Sequence, residues 1–339
     1  MRAVLFKAPG AQLEVGTIPD PRVGPGEVIV RVKACGVCGS DLYAAGSRNL
    51  KMPADTIMGH EFAGVIEEVG AGVTDFARGD AITSMAFVAC GDCAMCNAGA
   101  AVRCFAPRPI GFGEIPGAFA EFVKVRPGAI FKMPTGMGFP AAATVEPLVA
   151  GLHGLRRARF QAGETCLITG AGSLGLATLL WARFAGARAI VVSEVLMQRR
   201  DLAVKLGADT AVDPRMHSPL TTMTQLTGAA PDVVFECIGA PGTLAQAIGF
   251  APRGGRVVVL GAALEDDGFP PATALARELD IHFSLGVEPG EVETTIAALA
   301  SGRISTDAMI TQTVGLEELP RVFASLGDSG PPGKLMLEF

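Results

Sequence analysis

The sequence predicts a mixed α/β protein of two domains: an irregular, β-rich domain and a doubly wound domain built on a parallel sheet. Three observations carry that expectation. From about Gly163 onward, short apolar runs at 165–169, 189–193, 232–236, 256–260 and 281–285 alternate with helical patterns such as 174–184, 197–206 and 243–250. Strands alternating with helices argue for a parallel sheet covered on both faces. Before that point the chain is rich in Gly and Pro and holds short β-type runs at 27–33, 62–69 and 119–125, the texture of an irregular β domain. Finally, 339 residues that are 49% hydrophobic and 18% charged suit about two folded domains.

The expected boundaries are 1–150 with 287–339 for the first domain and 151–286 for the second. The tail beyond Val287 carries one amphipathic helix, 292–300, and ends in an apolar run at 334–339. The 43 Gly and 23 Pro are spread along the chain and read as turns and tight connections. A net charge of -6 without a Lys/Arg cluster gives little electrostatic reason to expect nucleic acid or an anionic membrane as a partner, so small molecules are expected instead. The N-terminal apolar run stops short of Pro9-Gly10, too early for a signal peptide, and no charge-free apolar stretch is long enough to span a bilayer. The expected location is the cytoplasm, where thiols stay reduced.

Eight cysteines then need an account other than disulfides. Cys90, Cys93, Cys96 and Cys104 form C-x2-C-x2-C-x7-C. Given one Cys, composition alone would place three more at those offsets with a probability of roughly 10⁻⁵, so chance does not compete with a metal site. Four thiolates are the ligand set of a closed, tetrahedral structural zinc, whose binding energy organises a loop with little core of its own. Chemistry is therefore expected elsewhere. Cys35, Cys166 and Cys237 read as small buried residues.

Gly170-Ala171-Gly172-Ser173-Leu174-Gly175 matches G-x-G-x-x-G, a pattern so permissive in a Gly-rich chain that only its context decides. It follows one apolar run, opens a helical pattern and precedes a second run ending at Glu194, which together make a dinucleotide fingerprint. The glycines let the backbone approach a pyrophosphate at the helix N-terminus. Glu194 hydrogen-bonds the adenosine ribose hydroxyls and repels a 2′-phosphate, so NAD is expected over NADP. Arg199 and Arg200 lie a few residues on, either near the adenosine end of the cofactor or as solvated helix residues.

A second cluster is Cys38-Gly39-Ser40-Asp41 with Gly59-His60-Glu61; alone, neither piece is strong. Taken in order with Gly79-Asp80, the four-cysteine loop, Glu146-Pro147, the glycine motif and Leu206-Gly207-Ala208-Asp209, the sequence resembles the medium-chain zinc-dependent alcohol dehydrogenase family over essentially its whole length. The resemblance implies a GroES-like catalytic domain and a Rossmann NAD-binding domain. It implies that Cys38 and His60 are ligands of a catalytic zinc, with Glu146 at the position of the third protein ligand. Glu61 resembles a family residue that approaches or replaces a ligand, and the sequence leaves open which of the two carboxylates coordinates. Three protein ligands and an open position are the pattern of catalytic zinc. Asp41 is expected to fix the tautomer of His60 through the other ring nitrogen, or else to be a turn residue.

The function so implied is hydride transfer between an alcohol and NAD, with two zinc ions per chain. By the family pattern Ser40 takes the alcohol proton and passes it through the cofactor ribose, or else it is a turn residue. Many members carry a histidine three residues later, where this chain has Tyr43, its only tyrosine; that hydroxyl relays the proton or walls the pocket. Small Ala86 and Phe87 lie where the family lines its substrate pocket. Glu146-Pro147 is similar to the polyol, diol and threonine dehydrogenase branches, which favours a secondary alcohol or diol as substrate. Two rival readings are a zinc-free, NADPH-dependent reductase of activated double bonds and a non-enzymatic cofactor-binding module. A homodimer or homotetramer joined through the edge of the nucleotide-binding sheet is the expected assembly.

Overall fold

The computed structural model describes residues 1–100, 103–263, 265–288, 290–327 and 330–339. The chain forms two compact units, Met1–Glu146 with Glu288–Phe339, and Pro147–Val287.

In the second unit six strands run parallel in the order Thr210–Val212, Ala189–Ser193, Thr165–Thr169, Val233–Glu236, Arg256–Val259 and Asp280–Phe283. Chain order reverses beside Thr165–Thr169, and the crevice at such a reversal, past the carboxyl ends of the strands, is where this architecture takes a ligand. Val191, Leu167, Val234 and Val257 are register partners across four strands and form a buried row. Their chain neighbours Cys166, Ile168 and Val233 are buried as well. Both faces are therefore covered, which is why the runs read as continuously apolar and not as alternating. The last strand ends at Phe283, two residues earlier than the apolar run suggests, because Leu285 is exposed beyond the sheet.

The first unit is mostly antiparallel. Val28–Gly36 pairs with Glu61–Val69, with Phe122–Val125 and with Lys334–Glu338, and so makes the spine of a seven-stranded sheet. It runs to Gly36, three residues past the predicted end, so Cys35 is a buried strand residue. The tail contributes more than the one expected helix: Glu291–Ala300 is followed by the strand Ile310–Val314 and a second helix, Leu319–Ser325. Leu319, Val322 and Phe323 of that helix bury into the main core, a stripe hidden from the sequence reading by its shortness and by Pro320 in its first turn.

A further element matters more for function. Residues after Cys38, weighed as turn residues from sequence, form the helix Gly39–Gly46. Asp41 explains its start, accepting a hydrogen bond from the Cys38 backbone N–H at 2.9 Å, the reciprocal half of a capping box.

Candidate active site and metal centres

The four-cysteine segment is closed at its base by a two-stranded pairing of Val88 with Arg108. Within it the Cys90–Cys104 sulfurs lie 3.3 Å apart, Cys93–Cys96 3.5 Å, Cys90–Cys96 3.8 Å and Cys93–Cys104 4.0 Å. Zinc–sulfur bonds of about 2.3 Å in a tetrahedron require sulfur–sulfur edges of about 3.8 Å, so the four thiols already outline that polyhedron. Backbone N–H groups support the charge. Those of Phe105 and Cys96 lower the Cys93 thiol to about 6, and those of Cys90 and Ala106 lower Cys104. Cys90 is instead pushed up to about 12, first by the carboxylate of Asp92. A divalent cation would relieve that conflict by taking all four as thiolates.

The second cluster is gathered from distant parts of the first unit. Cys38 stands at the start of the helix Gly39–Gly46, and His60 and Glu61 stand where the strand Glu61–Val69 begins. The donor atoms of Cys38, His60 and Glu61 lie within 4.8 Å of one another. Asp41 is wholly buried, and while one of its oxygens caps the helix, the other lies 3.5 Å from His60 Nδ1. Those two atoms are among the buried polar atoms without a hydrogen bond among the described residues. The facing pair orients the imidazole from behind, which fits a metal at the other nitrogen. Burial opposes a charged His60, but Asp41 and Cys38 outweigh it and hold the ring well above its usual range.

Sequence reasoning missed Lys334. It opens the last strand with no exposure at all, donating to both Glu61 oxygens at 2.8 and 2.6 Å and to the Val37 carbonyl at 3.2 Å. All three ammonium protons are thereby used. The approach needs Gly36, because a Cβ there would stand 2.2 Å from Glu61 Oε2. A lone lysine at the head of an apolar run was the available signal; its partner lies 273 residues away in sequence. Glu146, in the first turn of Val145–Arg157, is pushed up to about 7 by burial, with His60 opposing and Glu61 adding to the shift. Ser40 is exposed on the helix, and Tyr43, one turn later, is 38% exposed.

In the second unit the glycine motif joins Thr165–Thr169 to the helix Ser173–Phe184. Gly170 adopts φ +86°, and a Cβ on Gly175 would lie 1.9 Å from the Gly170 carbonyl oxygen, so no side chain fits there. Glu194 is buried just past Ala189–Ser193, its oxygens accepting from the backbone N–H groups of Ala171 and Leu196, both at 2.9 Å. The phosphate loop and the candidate ribose-binding carboxylate are thus one hydrogen-bonded unit. Arg199 lies 3.9 Å from Glu194, and Arg200 is tied to the Glu194 carbonyl and to Asp213.

Residues 24–135 match the model of the alcohol dehydrogenase GroES-like domain, and residues 173–301 match that of the zinc-binding dehydrogenase. The chain belongs to the zinc-type alcohol dehydrogenase family. It is 34% identical to L-threonine 3-dehydrogenase of Thermococcus kodakarensis, over 99% of this chain and 97% of that protein. It is 30% identical to sorbitol dehydrogenase of Bacillus subtilis, over 91% and 88%. The fold matches, with a TM-score of 0.89 and 33% identity over 100% of this chain and 99% of the other, a Sinorhizobium meliloti 1021 protein classed as a zinc-binding dehydrogenase and bound to NADP. Like the rest of its family, this dehydrogenase is an alcohol oxidoreductase that works with zinc and a nicotinamide cofactor on a small-molecule alcohol. No helix among the described residues is long and apolar enough to cross a membrane.

Proposed function

We propose that this dehydrogenase oxidises a secondary alcohol or diol with NAD, using one catalytic and one structural zinc per chain. The observation that carries the reading is the convergence of Cys38, His60 and Glu61 within ligand reach, with Asp41 behind His60. When bound, zinc supplies a Lewis acid for the substrate oxygen and NAD supplies the hydride acceptor. Cys38 and His60 hold the metal. Lys334 already takes both oxygens of Glu61, so our choice for the third protein ligand is Glu146. Ser40, exposed at the start of its helix, would accept the substrate hydroxyl proton while giving up its own toward the cofactor ribose and so to solvent, and Tyr43 walls the site.

Glu194 supports NAD over NADP: a 2′-phosphate would bring like charge to a carboxylate already fixed beside the phosphate loop. The strand Asp280–Phe283 ends the sheet, with Phe283 and Leu285 exposed at 65% and 86%, which supports a homodimer or homotetramer through that edge. The test is a panel of alcohols and ketones run on protein of measured metal content, with each cofactor, on wild type and Glu194→Ser. The expected result is two zinc ions, turnover of secondary alcohols, and an NAD preference of roughly a hundredfold that the substitution largely removes, a difference of about 2.7 kcal/mol. A wild type that prefers NADP, or fewer than two zinc ions in active protein, overturns the corresponding part. A monomeric mass in light scattering overturns the assembly.

A further inference from the structure

Next to the Cys38–His60 cluster the same unit holds a hollow of about 70 Å³, lined by Ala44, Leu50, Lys51, Met52 and Phe112. A single water needs only about 10–15 Å³ of such space, so the hollow takes a group of several heavy atoms. Its position is set by two loops. The chain leaves the helix Gly39–Gly46 at Ser47 and makes a tight turn in which the Met52 N–H meets the Leu50 carbonyl at 2.9 Å, which puts Lys51 at the apex. Across from it, the segment bearing Phe112 is closed by Gly111 N–H to Ile115 O at 2.8 Å. It is pinned to the strand leading into His60 by Gly117 N–H to Ile57 O at 2.7 Å and Ala118 N–H to Gly59 O at 2.8 Å. Phe112 is the shared wall: it lines the hollow, and its ring lies 5.4 Å from the His60 ring.

The lining is apolar except for one cation. Among the described residues neither Lys51 nor Arg48, on the same loop, forms an ion pair, whereas Asp55, four residues on, is committed to Lys7 and Glu114, beside Phe112, to Arg108. Lys51 is exposed where it borders these apolar side chains, the one cation among the lining residues that can meet an anionic group entering the hollow.

We infer that this hollow is a subsite for an anionic group on the substrate, with Lys51 as its counter-ion, so that the alcohol oxidised here carries a carboxylate or phosphate a few bonds from its carbinol carbon. This rests on the reading of the neighbouring cluster as the alcohol site. It deepens that reading by giving the substrate a charge.

The test uses the zinc-loaded full chain and three secondary alcohols of similar size: 2,3-butanediol, 3-hydroxybutyrate and propane-1,2-diol 1-phosphate. The expected result is that kcat/KM for at least one anionic substrate exceeds that for the diol tenfold or more. Lys51→Met should cut that ratio at least tenfold, mainly through KM, and Lys51→Arg should keep most of it. The phosphate and carboxylate arms identify which anion is meant. Equal use of the neutral and anionic alcohols, or a ratio unmoved by Lys51→Met, overturns the inference. Calorimetric binding of the two anions without oxidised cofactor separates the claims. Anion binding lost in Lys51→Met without turnover of any alcohol sinks the alcohol reading and keeps the subsite, whereas turnover of the diol with no Lys51-dependent anion binding does the reverse.

Discussion

The two candidate metal-ligand clusters of the first unit are opposite kinds of object. The four thiols between Cys90 and Cys104 come from one short segment, are partly exposed, and fill every vertex of a tetrahedron by themselves. Cys38, His60 and Glu61 come from a helix start and a strand start, with His60 and Glu61 buried and Cys38 half-buried, and the charges of Asp41, Lys334 and Glu146 act on them. A site that only has to hold a loop together can be written locally. A site that must leave room for substrate has to borrow its geometry from the fold, and its cost is buried charge that must be balanced.

The sharpest way to break this contrast is to remove one ligand from each. His60→Ala should lose one zinc per chain and at least about 10³-fold in kcat/KM, since a Lewis acid contributes several kcal/mol to the transition state. Cys93→Ala should also lose one zinc, but its effect should appear first as stability, a melting temperature lower by about 10 °C, because structural zinc binding is folding free energy. A Cys93→Ala protein with unchanged melting and no turnover would show the roles reversed.

Next in size is the buried ion pair. Lys334→Met leaves Glu61 as an uncompensated buried charge and should cost about 3–5 kcal/mol in denaturant unfolding, whereas Glu61→Leu combined with Lys334→Met should recover most of it. Full cost in the double variant would mean that Lys334 acts through something other than Glu61. A smaller effect is expected at Asp41: Asp41→Asn should weaken zinc retention and turnover by about 10–100-fold, the usual range for a group behind a metal-bound histidine. Measurement by competitive chelation, where the four-cysteine site should be unaffected, checks it.

The smallest effect is a control in the other unit. Asp213 is held far below the usual carboxylate range, first by the side chain of Arg215 and then by its backbone N–H and charge, with Arg200 assisting. A depressed folded pKa means that the unfolded chain takes up the proton first. The stabilisation is therefore complete above the unfolded value near pH 4 and fades as the pH falls below it. Asp213→Asn should flatten the loss of stability below pH 4 and leave zinc content at two. A change in zinc content would show that the units are coupled in a way the comparison denies.

The same contrast explains what could be read in the sequence. The strand and helix alternation after Gly163 was legible because both faces of a parallel sheet are buried, and the four-cysteine loop was legible because its ligands share one segment. The fingerprint at Gly170–Gly175 gained its meaning from the strand before and the helix after. Cys38, His60, Glu61 and Glu146 could be nominated only through family resemblance, since single residues far apart carry no spacing signal. Lys334 escaped altogether. An isolated lysine at the start of an apolar strand looks like a solvated end, and only the fold brings Glu61 and the open space beside Gly36 to meet it. The helix Gly39–Gly46 was missed because Asp41 at its third position suits a turn as well as a cap.

The separation between Glu61 and Lys334 also sets a clock on biosynthesis. A ribosome adding about 5–20 residues per second needs on the order of 15–55 s to travel from one to the other. Throughout that interval the nascent chain contains Cys38, His60 and Glu61, and once Cys104 has been added the complete four-cysteine loop as well, but not the ammonium group that neutralises Glu61 in the interior. The loop has all four of its candidate ligands as soon as it emerges. The buried cluster reaches its final form only after the whole nucleotide-binding unit has been synthesised and the strand Lys334–Glu338 has docked against Val28–Gly36. Were both clusters to take zinc during synthesis, the four-cysteine loop would be the first to stand complete.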